Sequence, residues 1–215
     1  MIPVSRKNEP PDFDERVRTK GQRFLKNAAR PLKWDHHEHW RDVLGDLREA
    51  YDSICAYLAH WIPPGTGSAT VDHFVPKSVR PDLAYEWDNY RLACGSINAK
   101  KREYQDVLDP FVVQHGWFIL DLSSLQVRPG AVPDHSLRER IQASINRLDL
   151  NGESFVEERW HWLTEFCRNQ DLDFLQRHAP FVAYEVRRQA QDSVCEIIGR
   201  RLQSTAGGPR PAGDA

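Results

Sequence analysis

No apolar run in the 215 residues approaches the length needed to span a bilayer, so a membrane role is not expected. The opening MIPVSRKNEPPDF lacks the apolar stretch of a secretory leader, and export is not expected either. Cysteine is scarce: four residues without the dense spacing of a disulfide framework point to the cytoplasm. A composition of 40% apolar and 28% charged residues describes a globular chain, long enough for one large core or a small core with a helical companion.

Net charge is small as well, at -2, but this hides an uneven distribution. Between Arg16 and Lys33 lie seven basic residues and no acidic one, while acid-rich stretches near 106–109 and 153–158 restore the balance. Such a segment can contact phosphates or an acidic partner, with Arg18, Lys20 and Arg23 as the candidate contacts.

Periodicity places the elements coarsely. Trp40, Val43, Leu44, Leu47, Tyr51, Ile54 and Leu58 recur at helical spacing and predict an amphipathic helix over 40–58. Residues 69–74 alternate like a strand, with 90–93 as the partner, and Ser96 is placed to cap a helix running to about 106. A second hairpin is expected from 116–122 and 125–128, near the turn residues Pro129-Gly130. Helical patterns then begin at 136, near 153 and near 180, the last running towards 202, and the Gly, Pro and Ala-rich tail from 204 reads as disordered. The segments are 1–34, a Pro-rich lead and basic stretch; 35–110, the core; 111–203, hairpin and helices; and 204–215, the tail. The fold class is α+β, mostly helical.

One stretch carries chemistry. VDHFVPKSVRPDLAYEWDNYRLACGSINAKKR sets Asp72 and His73 side by side, with Asn89 and Asn98 following and a Lys100-Lys101-Arg102 cluster behind. An imidazole is a usable base near neutral pH, and a carboxylate with an amide oxygen suits a hard divalent ion that keeps most of its waters. Cations in the same stretch can meet a phosphate.

The pattern DHFVPKS, WDNYRLAC and NAKK resembles the core of the HNH, or ββα-metal, endonucleases. That resemblance implies a hairpin and helix that assemble one active site with helical regions on either side. It makes His73 the general base and Asn89 the residue that holds the hairpin loop and orients the imidazole. Asp72 and Asn98 become ligands of one Mg²⁺ or Mn²⁺, and Lys77, Lys100, Lys101 and Arg102 become candidate nucleic-acid contacts. Lys101 is the favoured one, because it falls about one turn beyond Asn98.

Many members of the family staple this core with zinc held between two C-x-x-C knuckles. Here the corresponding tetrapeptides are Cys55-Ala-Tyr-Leu58 and Cys94-Gly-Ser-Ile97, each keeping one thiol. Two thiolates do not make a tetrahedral zinc site, so no structural zinc is expected. Leu58 and Ile97 are expected to refill the knuckle as an apolar plug contributing about 1.5–3 kcal/mol each, less than the roughly 10–16 kcal/mol of structural zinc. Cys55 and Cys94 should still face each other as buried thiols, with a disulfide as the second choice.

The lead, the LDPF tetrapeptide and SINRLDLNGESFVEERW add a resemblance to the PtuB nuclease subunits of Septu-type anti-phage systems and their retron-associated relatives. This implies a partner, an ABC/SMC-like ATPase of PtuA type. Two alternatives stay open: a catalytically inactive subunit of such a complex, and a nuclease acting on structured RNA such as tRNA. His36, His37 and His39 read as surface or capping residues, Cys167 and Cys195 as core thiols, and the tryptophans as packing or docking residues.

Overall fold

The computed structural model describes residues 1–189 and 195–196. They form an α+β structure, mostly helical, with two small antiparallel hairpins. The tail and the expected continuation of the last helix to 202 fall outside the described residues. Among the described residues, no helix is long and apolar enough to cross a membrane.

An extended lead runs into a π-helical turn, Asp14–Arg18, and then α1, Thr19–Asn27. Phe13 and Val17 anchor this segment in the core, where Phe13 meets the rings of Trp87 and Tyr90 edge-on. Gly21 is required here, because a Cβ would lie 2.0 Å from the Tyr85 ring.

The helix expected over 40–58 is cut short. A 3₁₀ turn, His39–Val43, leads into α2, Leu44–Ala50, and there the helix stops. Asp52 and Ser53 take positive φ, and the Ser53 amide turns back to the Arg48 carbonyl. Apolar spacing alone does not register this reversal, because Ile54 and Leu58 are still drawn into the core. Residues 55–60 instead form a tight knuckle, closed by Ala59 N–H to Cys55 O and Cys55 N–H to His60 O.

The expected first hairpin is present. β1, Ala69–His73, pairs with β2, Tyr90–Cys94, from Ala69 opposite Cys94 to His73 opposite Tyr90. Next comes α3, Gly95–Lys101, completing a β–β–α unit. It ends at Arg102, which takes φ +46°, well short of residue 106, and Ser96 makes no backbone cap; its hydroxyl meets the Cys94 thiol.

The second hairpin joins β3, Phe118–Asp121, to β4, Gln126–Pro129. Asp121 ties the connection by accepting from the amides of Ser123 and Ser124, so the reversal lies at Asp121–Leu125, ahead of Pro129-Gly130. Four helices follow: α4, His135–Arg147; α5, Glu153–Asn169; α6, Leu172–His178; and α7, Pro180–Arg188. Asp171 caps α6, a short helix the periodicity did not separate. Cys167 and Cys195 form a disulfide with Cα atoms 5.2 Å apart, where two core thiols were expected.

Two sequence motifs turn out to be braces. Asn151 bonds both the amide and the carbonyl of Val127, and the buried Arg159 donates to Leu125 O and Leu150 O, so the α4–α5 junction grips the second hairpin. Asp109 of LDPF takes a bidentate pair from the buried Arg91 of β2, whose guanidinium lies 3.5 Å from the Phe111 ring centre.

Candidate active site

On β1, Thr70 and Asp72 share the face turned to α3, and His73 points the other way, towards Trp40 of the 3₁₀ turn and Ala84 of the hairpin loop. Because His73 ends the strand, both faces open onto one cavity of about 490 Å³. Asp72, His73, Asn98, Lys77 and Arg102 all line it.

His73 is buried, flanked edge-on by Trp40 at 4.8 Å and Tyr90 at 5.3 Å. Its Nε2 lies 2.9 Å from the carbonyl of Ala84. A carbonyl only accepts, so Nε2 carries the proton and Nδ1 keeps its lone pair. Burial pushes the pKa down to about 4, against the Ala84 hydrogen bond that raises it; Lys77 and Lys101 lower it further. The ring is therefore neutral at cellular pH.

Asn89 does not line the cavity. Its amide bridges the loop instead: Oδ1 accepts from Val75 N–H, and Nδ2 donates to the carbonyls of Val75 and Leu83. These bonds tie Val75 to Leu83 across the loop, whereas the imidazole itself is hydrogen-bonded to the Ala84 carbonyl, one residue beyond Leu83.

Asp72 is buried, with Oδ2 accepting from Tyr57 at 2.5 Å and Oδ1 3.1 Å from the ammonium of Lys101. Burial, then the Asp72 charge, hold the Tyr57 hydroxyl well above its usual range, so it stays a donor. Asn98 donates through Nδ2 to Thr70 Oγ1, which turns its Oδ1 to other partners. A carboxylate with one lone pair left on each oxygen and a free amide oxygen, at the wall of a polar cavity, are donors that a hard divalent ion takes. Among the described residues, no three His, Cys, Asp or Glu side chains form a metal-holding group.

The expected phosphate contacts divide sharply. Lys77 and Arg102 line the cavity. Lys101 does not reach it as a free cation: fully buried, it donates to Asp72, His73 O and Phe74 O, which accounts for all three ammonium hydrogens. Lys100 is turned away onto Asp149 at 2.7 Å. Arg18 is committed to Glu9, Asp14 and Glu86, whereas Lys20 and Arg23 line a separate groove. A lone sequence gives no sign of such sorting, because the carboxylates that claim Lys101, Lys100 and Arg18 are mostly distant in the chain. The same holds for Tyr57 and Ala84, the functional partners that the sequence did not indicate.

At the other end of the hairpin, Cys55 and Cys94 face each other as free cysteines, and Leu58 and Ile97 are buried beside them. The Cys94 thiol is lowered by a hydrogen bond from Cys55, and burial raises Cys55. His60 and Glu158 line the same small cavity, with His60 Nδ1 3.2 Å from the carboxylate.

The site thus belongs to a class: a hairpin followed by a helix, presenting a neutral imidazole, a carboxylate and a carboxamide to one cavity whose wall carries both cations, Lys77 and Arg102 among them, and the carboxylates Glu38 and Glu103. The chain is 24% identical over 173 residues to "Retron Vc95 putative HNH endonuclease" of Vibrio cholerae serotype O1 biovar El Tor, covering 74% of this chain and 80% of that protein. No family model matches the chain.

Proposed function

We propose that this chain is a divalent-metal-dependent endonuclease that hydrolyses phosphodiester bonds in nucleic acid, DNA foremost. The observation that carries the reading is the convergence of Asp72, His73 and Asn98 on one cavity, with Lys77 and Arg102 at its wall. His73 acts as general base. Its Nε2–H remains on Ala84 O while Nδ1 removes a proton from water, so the ring needs no reorientation. The water oxygen bonds to phosphorus as the bond to the 3′ oxygen breaks and that oxygen takes a proton from solvent, leaving a 5′-phosphate and a 3′-hydroxyl. Asp72 and Asn98 would hold Mg²⁺ or Mn²⁺, which when bound supplies a Lewis acid for the scissile phosphate and the departing oxygen. Lys77 and Arg102 fix the phosphate oxygens, Lys101 positions Asp72 and the His73 backbone, and Asn89 closes the loop that leads to Ala84.

A place in bacterial defence, beside an ABC/SMC-like ATPase, belongs to the same reading and is supported by the likeness to a protein named for a retron. One observation favours a second reading, a catalytically silent subunit of such a complex: both Asp72 oxygens already have protein partners. Cleavage assays on plasmid DNA and on total cellular RNA, with Mg²⁺ or Mn²⁺ and with or without the ATPase, separate the two. His73→Ala should lose about a hundredfold or more, the usual range for general-base catalysis. Equal activity of the two proteins removes His73 from the mechanism, and binding without cleavage under every condition selects the silent subunit. Asn98→Ala should shift the Mg²⁺ titration to higher concentration.

A further inference from the structure

The seven cations of the 16–33 run are not equivalent. Arg16 and Arg18 are bound into the fold by Asp12, Asp46, Glu9, Asp14 and Glu86. Lys20, Arg23, Arg30 and Lys33 are exposed, enter no ion pair among the described residues, and line one groove of about 1030 Å³ between α1 and the segment that follows it. Asp35 is the one carboxylate lining that groove. In a chain of net charge -2, four unpaired cations against one acid make a built local excess.

The floor of the groove is aromatic. Phe24 stacks on His37 at 3.9 Å and touches Trp34 at 5.7 Å. From Trp34 the ring contacts continue to Trp40 at 5.8 Å, and from Trp40 to the catalytic imidazole at 4.8 Å. Lys77, which lines the catalytic cavity, lies over both indoles, 5.7 Å from Trp34 and 5.4 Å from Trp40. A chain of ring contacts therefore runs from the groove to the cavity, with the Lys77 ammonium over its two indoles.

The groove is also fixed relative to the chemistry. Gly21 seats α1 directly on the Tyr85 ring, and the Tyr85 hydroxyl donates to His37 O at 2.8 Å. Tyr85 is the neighbour of Ala84, whose carbonyl orients His73.

We infer that this groove is the track for the sugar-phosphate backbone flanking the scissile phosphate, with Lys77 as the stepping point into the active site. The inference rests on the nuclease reading and adds to it where the polynucleotide lies. Four backbone phosphates on Lys20, Arg23, Arg30 and Lys33 release their counterions, so affinity must be steeply salt-dependent. The Phe24–His37 floor gives bases or sugars an apolar surface without reading sequence.

Binding is measured by fluorescence anisotropy with labelled 20-nucleotide DNA and RNA of one sequence, using the full chain carrying His73→Ala and no added metal. For single strands, four contacts predict a log–log salt slope near -2.8, hence about a 50-fold loss between 50 and 200 mM. Replacing Lys20, Arg23, Arg30 and Lys33 together by Gln should flatten the slope by about that amount and weaken binding at least tenfold. A control with Arg138, Arg140, Arg177 and Arg187 changed to Gln removes equal charge elsewhere and should bind as before. Unchanged binding by the groove variant, an equal loss in the control, or equally tight binding of poly-glutamate overturns the track. The DNA and RNA arms identify which strand it holds. Hydrolysis of bis(p-nitrophenyl) phosphate, which reaches the cavity but not the groove, should be unaffected by the four groove substitutions. A wild-type chain that binds as described yet cleaves this diester under no condition, with Mg²⁺ or Mn²⁺ and with or without the ATPase, refutes the nuclease reading and leaves the groove as a nucleic-acid binding surface alone.

Discussion

The two ends of the β1–β2 hairpin solve the same problem with different forces. At the His73–Tyr90 end, buried polar groups are satisfied one by one: Lys101 on Asp72 and two carbonyls, Tyr57 on Asp72, Arg91 on Asp109, and His73 on Ala84. At the Ala69–Cys94 end, Leu58, Ile97 and Cys55 are packed away from water with few directional bonds. Chemistry requires the first arrangement, since only directional bonds fix a tautomer and a carboxylate. Stability alone accepts the second, in which side chains of similar shape are interchangeable.

The contrast can be broken most forcefully at Lys101. Lys101→Met leaves Asp72 a buried carboxylate without its counter-charge, and should cost about 3–5 kcal/mol in denaturant unfolding. Adding Asp72→Leu should recover much of that loss, because the unpaired charge is then gone. If the single variant is as stable as wild type, the ion pair is not what holds this end.

Acid sharpens the same comparison. His73 has a folded pKa near 4 against the usual 6.5, so the unfolded chain binds the extra proton between those values. Stability contributed by the neutral ring is complete above about pH 6.5 and is lost as pH falls towards 4, amounting to roughly 3 kcal/mol. His73→Asn should have a shallower acid limb in pH-dependent unfolding; parallel limbs contradict the assigned burial effect.

The apolar end should respond in small steps. Ile97→Val removes one methylene from a fully buried side chain and should cost about 0.5–1.5 kcal/mol, with no change in the metal titration. A shift in metal dependence would show that the two ends are coupled through the hairpin. The smallest effect is expected at Cys94. Because its thiol is held below the ordinary range, its alkylation at pH 7 should exceed that of a free cysteine several-fold, falling when Cys55→Ala removes the hydrogen bond.

Much of the site was legible in the sequence because Asp72, His73 and Asn98 sit on consecutive local elements. Strand alternation, a turn-rich loop and a short helix bring them together with little help from the rest of the chain. The helix over 40–58 failed for the opposite reason: Leu58, buried, and Ile54, partly buried against the core, continue an apolar spacing after the backbone has reversed at Asp52 and Ser53. Disulfide pairing of Cys167 with Cys195 could not be read from a separation of 28 residues between helical patterns.

What the sequence by itself determined is the kind of donors present and their order: an imidazole beside a carboxylate, an amide one helix turn into α3, cations around them. Tertiary structure alone decided which of those cations are available. Lys101, Arg18 and Lys20 look alike along the chain, and a charged side chain becomes a brace or a contact according to which carboxylates, mostly remote in the chain, lie within a few ångströms. That is a property of folded space, and it puts one lysine under the candidate site and leaves four cations open in a groove beside it.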